Sequence, residues 1–456
     1  MAKSPRSTLT RRRHLRGALG GAAGAALAGP VLAACGAGAP GGAGAPPAGK
    51  LQGKLDLWLW QRFWEPGTVG DAMVREFGEQ NPQLAVSNEI LPGGVPGREK
   101  VTAGVAAGVV PDVSYMDRFL AAEWGTGGIA QALNEKIKGS STLNPGDWRD
   151  GLRSDVTWRD RVYAVPQGSE PWVFFWNSAL FRESGLDPAR APATWDDLRE
   201  YTRKIYRADA AGVAERYGFL PNYGNGGTQA AWLIFMWQQG QDELSPDRTK
   251  AVFDNERGLK ALEFVVDLVR TQGGAQRFAD FRTNAGPQGA MLLPAGKVAM
   301  HFDANSQASV WQRAMSQTNH AAGLIPKPPG GKDTTYQGGP SYVVPTGAKH
   351  PDNAVRFMEF FLRKENELRL ADAFEAVPVS KTVAQSNEYL SKAPERKVYV
   401  QLALGAKWVP VVPGAAQILT VHSQFTADAL NGTKSPRDAL AAGQAEVQRI
   451  LDQYVK

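Results

Sequence analysis

The chain has 456 residues, 43% hydrophobic and 21% charged, which is enough length for a large core and a composition that excludes a mostly disordered chain. Its net charge of +6 comes from the leader, because residues 1–34 hold Lys3, Arg6, Arg11, Arg12, Arg13 and Arg16 with no acid and the remainder is formally neutral. A neutral body has no bulk field for phosphate backbones, which argues against nucleic acid as a partner, and no apolar run of about 20 residues marks a polytopic membrane protein.

In chain order, residues 1–35 read as a processing segment. Arg11-Arg12-Arg13-His14-Leu15-Arg16 precedes a weakly apolar Ala/Gly/Leu stretch and resembles a twin-arginine export signal. Leu32-Ala33-Ala34-Cys35 resembles a bacterial lipoprotein cleavage box, in which Cys35 would carry the lipid. Cys35 is the only cysteine, so an intramolecular disulfide and a multi-Cys metal site are excluded. Residues 36–49 contain only Gly, Ala and Pro; with 50 they form a tether with a typical span of roughly 20 Å. The expectation is a globular body held outside a bacterial membrane by a lipid.

The body opens on a strand at 54–60 with apolar residues dense enough for burial on both faces, followed by a helix at 70–80 and a strand at 83–91. A small-residue helix at 99–109 ends before Pro111, and a short strand follows at 112–116. The middle is richer in helix: 194–206, opened by Thr194 as cap with Asp196 and Asp197 in its first turn, then 230–239 and 256–271. A strand at 341–344 and helices at 352–363 and 435–454 complete the pattern. Strands alternating with helices predict an α/β fold with mostly parallel sheets flanked by helices, whose ligands sit at strand carboxyl ends.

Catalytic motifs are scarce. Outside the leader the histidines are His301, His320, His350 and His422, none at His-x-x-x-His spacing, and there is neither a Gly-x-Ser-x-Gly elbow nor a P-loop. No metal site and no cofactor are expected. Carboxylates are plentiful, and a glycosidase needs only two, so an exported carbohydrate-active hydrolase stays as one alternative. The unusual quantity is tryptophan, 13 residues in all, many near the ends of predicted elements. An indole offers a flat apolar face to a sugar ring and one N–H to donate, while in the interior it is simply core.

Several segments, in order, resemble the extracellular solute-binding proteins of the carbohydrate type, a maltodextrin-binding-like cluster that serves ABC importers. They are the small-residue helix running into Pro111-Asp112-Val113; Tyr163-Ala164-Val165-Pro166 followed by Trp176-Asn177-Ser178-Ala179-Leu180-Phe181; Gly185-Leu186-Asp187-Pro188 and Thr194-Trp195-Asp196-Asp197-Leu198; Gly296-Lys297-Val298-Ala299-Met300; and Gly432-Thr433-Lys434-Ser435 with Asp438-Ala439-Leu440. The resemblance spans nearly all of 51–456.

It implies a two-lobed periplasmic-binding-protein-like fold with the ligand cleft between lobes: 51–166 plus about 339–390 as one lobe, 167–338 plus about 391–456 as the other. It implies a monomeric, non-enzymatic receptor that captures a carbohydrate and passes it to an ABC permease. Carried over residue by residue, the cleft would be lined by Arg62 and Trp64, Asp117 and Arg118, Glu170 and Trp172, Trp232, and Asp303 with Asn305. Two departures stand out: Asp303-Ala304-Asn305-Ser306 replaces the family's Gly and Trp, and Trp176 stands where it has Tyr. Three acids against two arginines suit a neutral polyol better than an anion, and would also suit a polyamine or other small cation.

Overall fold

The computed structural model describes residues 51–221, 227–285, 291–314 and 319–455. Its strands, in chain order, are β1 Gly53–Trp60, β2 Leu84–Leu91, β3 Val113–Asp117, β4 Thr157–Trp158, β5 Arg161–Val162, β6 Val165–Pro166, β7 Glu170–Asn177, β8 Arg207–Ala208, β9 Ala214–Leu220, β10 Val298–Ala304, β11 His320–Gly323, β12 Gln337–Gly338 and β13 Pro340–Val343. They build two principal sheets, β2-β1-β3-β13-β6 and β11-β7-β10-β9-β8, with β12 added to the start of β7 and β4-β5 as a separate hairpin.

In the first sheet β1 runs parallel to β2 from Gly53↔Leu84 to Trp60↔Leu91, and parallel to β3 at Leu57↔Val113. Strand alternation puts Leu55, Leu57 and Leu59 wholly inside, while Trp58 and Trp60 on the other face are half-buried rather than fully covered. The small-residue helix Val95–Ala107 lies against that second face. Gly104 allows it, since a Cβ there would sit 3.2 Å from the Trp58 ring and 2.7 Å from the Val109 carbonyl. On the inner face the helix Val69–Gln80, capped by the Thr68 side chain, brings Phe77 edge-on to Phe357 of the helix Pro351–Phe361.

The second sheet has parallel β9 and β10 (Met300↔Phe219) and antiparallel β7 and β11. One face carries Phe174, Phe219 and Phe302 against Phe235 of the helix Gly227–Gln238, which in turn meets Trp195 and Phe264. The other carries Val173 and Phe175 with Trp311, Tyr389 and Tyr399. A sheet covered on both faces explains why β7 is buried along its whole length.

Chain passages connect the sheets side by side. The link from β6 to β7 runs antiparallel to the link from β12 to β13, with Gly338↔Glu170 on one side and Ser341↔Pro166 on the other. Val377 bridges to Ser169 beside them. Two fully buried arginines tie these passages down. Arg118 donates to the carbonyls of Gly168 (2.8 Å) and Gly338 (2.7 Å), and Arg149 to those of Pro378 (2.8 Å) and Val377 (3.2 Å). Gly339, at φ 136°, makes room: a Cβ there would lie 2.5 Å from the Arg118 guanidinium.

Candidate functional site

Strands β1 and β3 of the first sheet and β9 and β10 of the second end towards the passages, and the turn after β1 meets the turn after β10. From β1 the chain turns at once into the short helix Gln61–Trp64. Arg62 leaves that turn and forks onto Glu170, with Nη2–Oε1 at 2.9 Å and Nη1–Oε2 at 3.2 Å, and its Nη2 also donates to Ser306 Oγ at 2.9 Å. One side chain therefore bridges the loop after β1, the first residue of β7 and the loop after β10. The Arg62 side chain keeps 35% of its surface exposed, while Glu170 keeps 9%.

Two aromatic rings, Trp60 and Phe63, flank the Arg62 end of this bridge, and a second group of rings lies along β7 and the passages. Trp60 stacks on Tyr115 at 5.3 Å and meets Phe63 edge-on, and the Arg62 guanidinium lies 5.1 Å from the Phe63 ring centre. Tyr115 donates its hydroxyl to Asp117, whose other oxygen lies 3.8 Å from Arg98; burial raises the Asp117 pKa in spite of both partners. Trp172 meets Tyr336 edge-on at 5.2 Å. Tyr336 in turn contacts Trp237 and Trp408, and Trp408 stacks on Phe119 just beyond β3. Beside Trp408 lies a cavity of about 590 Å³ lined by Asp155, Glu243, Arg248 and Lys407 among others. Burial lifts the Glu243 carboxyl to about 7 and that of Asp155 to about 6, the latter opposed by Arg118.

Of the residues expected at the cleft, Arg62 and Glu170 meet directly, and Trp172 shares the Glu170 face of β7. Asp303 lies at the end of β10 opposite Val173, whereas Ala304 is opposite Trp172, so alternation turns the Asp303 side chain to the other face. It accepts a hydrogen bond from the Ala304 N–H, and burial, reinforced by Glu170, lifts its carboxyl to about 7. Asn305 ties the turn together: its N–H reaches the Pro171 carbonyl at 3.0 Å and its amide donates to the Glu375 carbonyl.

Three expectations need correction. Trp64 is 1% exposed and packs edge-on to Phe361 and Tyr342 inside the first sheet's core, because the turn that sends Arg62 outward sends Trp64 inward. Trp232 is 0% exposed; it stands edge-on to Phe253 and Phe425 and donates to the Gly258 carbonyl at 3.1 Å. Arg118 is also 0% exposed, and its donors are taken up by the passage carbonyls and Asp155. Cys35 and the tether lie outside the described residues. Sequence reasoning missed Ser306, Tyr336 and Trp408. Trp60 was within reach of the strand-end rule, since it closes β1.

Among the described residues no helix is long and apolar enough to cross a membrane. A family model described as bacterial extracellular solute-binding protein matches residues 65–368. A binding protein of Brucella abortus is 23% identical over 88% of this chain and 93% of its own. The sn-glycerol-3-phosphate-binding periplasmic protein of Agrobacterium fabrum is 21% identical over 85% and 88%. Among solved structures, the cyclic alpha-maltosyl-1,6-maltose binding protein of Arthrobacter globiformis has a TM-score of 0.73, with 23% identity over 88% of this chain and 100% of that one; that is a likeness of fold.

Proposed function

We propose that this chain, which belongs to the bacterial extracellular solute-binding protein family, captures a carbohydrate between its two sheets and hands it to an ABC permease while anchored to the cell membrane through a lipid on Cys35. The observation that carries the reading is the Arg62–Glu170–Ser306 bridge, which joins loops of both sheets and is flanked at its Arg62 end by Trp60 and Phe63. The partly exposed Trp60 supplies an apolar face for sugar C–H surfaces, and the Glu170 carboxylate and Ser306 hydroxyl supply polar partners. Closure of one half on the other about the passages would trap the solute, a hinge motion. The Arthrobacter protein's saccharide ligand supports the sugar class by analogy of fold. No catalytic step is assigned: the named groups bind and orient.

A thermal-shift panel of mono- and oligosaccharides, polyols and polyamines tests this. A ligand at 100 times its Kd stabilises by about 2.7 kcal/mol, which moves Tm by a few degrees in a chain of this size. A shift with a saccharide group and no product formed is the expected result; a shift with polyamines alone, or turnover of a glycoside, contradicts it. Lipidation is checked separately by mass spectrometry of the membrane-associated chain, where Cys35→Ser should release the protein from the membrane.

A further inference from the structure

We propose that Glu170 sets the charge class of the ligand: by forking onto Arg62 it withdraws that cation from the solute and fits the cleft to an uncharged molecule. The inference rests on the solute-receptor reading above. Arg62 has Glu170, and its neighbour at the end of the first sheet, Arg98, has Asp117.

The geometry makes the pairing hard to undo. A bidentate carboxylate occupies the arginine fork that would otherwise grip a phosphate or a ligand carboxylate. An incoming anion would have to displace Glu170, a largely buried side chain, and leave its charge unpaired. An uncharged polyol faces no such exchange, because it can donate to outer lone pairs of Glu170 while the fork stays closed. The Agrobacterium relative is named for a phosphorylated ligand, so the two classes are real competitors for this fold.

Titration calorimetry on the full chain separates them, with maltose, mannobiose, glucose, spermidine, sn-glycerol 3-phosphate and inorganic phosphate as probes. The wild type should bind a neutral saccharide, with glycerol phosphate about a hundredfold weaker or worse. In Glu170→Gln the fork is released, and the ratio of affinities should move towards glycerol phosphate by about tenfold or more. The added change Arg62→Gln should cancel that gain. A strut with no selective role would weaken all ligands alike, so an unchanged ratio in a Glu170→Gln variant of normal Tm overturns the inference and leaves the receptor reading intact. A wild type that prefers glycerol phosphate or spermidine also overturns it. A wild type that binds no saccharide sinks the receptor reading and this inference together. Should Glu170→Gln fail to fold, the wild type decides: its saccharide affinity should hold within about twofold between about 50 mM and about 500 mM salt, and a tenfold change contradicts the proposal.

Discussion

Arg62 and Arg118 both follow strands of the first sheet, both pair with a carboxylate, and they do opposite jobs. At the rim, Arg62 spends its fork on Glu170, a residue of the second sheet, and keeps a third of its surface in water. At the passages, Arg118 has no exposed surface, and its donors go to Asp155 and to the carbonyls of Gly168 and Gly338. Burying a guanidinium is costly unless every donor is met, and fixed carbonyls meet them there. The difference teaches how burial selects partners in this fold: the partly exposed Arg62 is met by side chains alone, the wholly buried Arg118 by backbone carbonyls as well as Asp155.

The largest break in that comparison should come from Arg118→Met. It leaves Asp155 buried without its cation and strips the passage carbonyls of a donor, for a loss of about 3–5 kcal/mol in urea unfolding. A loss under about 1 kcal/mol would mean the passages are held by something else. A similar cost, about 3–5 kcal/mol, is expected for Trp64→Ala or Trp232→Ala as core truncations, with ligand affinity of the folded fraction unchanged. Trp60→Ala sharpens the contrast, because removing this partly exposed ring at the end of β1 should weaken saccharide binding about tenfold or more.

A pH effect comes next in size. Glu243 titrates at about 7 in the fold, above its ordinary value of 4.5, because it is buried. The folded state then holds a proton that the unfolded chain has released. Its contribution therefore favours folding below about 4.5 and falls away as pH rises from there through about 7. Between about 4.5 and about 7 the urea midpoint of wild type should therefore fall more with pH, or rise less, than that of Glu243→Gln. A smaller effect on stability is expected at the rim: Arg62→Met leaves Glu170, 9% exposed, without its cation, for about 1–3 kcal/mol.

Much of the scaffold is legible in the sequence because its signals are local. The capping box of Thr194 and Asp197 announces the helix Trp195–Ile205, and the apolar run before Gln61 announces β1. The helix Val95–Ala107 starts four residues earlier than the expected 99 because Pro96 is accommodated in its first turn. The helix Ala415–Leu430 was not foreseen: it begins at Gly414 in a left-handed conformation with no side-chain cap, and it buries His422 and Thr426 among its apolar residues. The site is less legible for a physical reason. Arg62 and Trp64 share one turn and depart in different directions, and only residues far along the chain, Glu170 for one and Phe361 for the other, decide which faces the solute. Tyr336 and Trp408 likewise join the site through contacts with Trp172 and Phe119 that no local pattern announces.

The most direct test is titration of the saccharide giving the largest thermal shift into Arg62→Met, with Tm recorded on the same sample. The account predicts affinity lower by about tenfold or more in a variant whose Tm still lies well above the titration temperature. Unchanged affinity would contradict it and place the ligand away from the bridge between the two sheets.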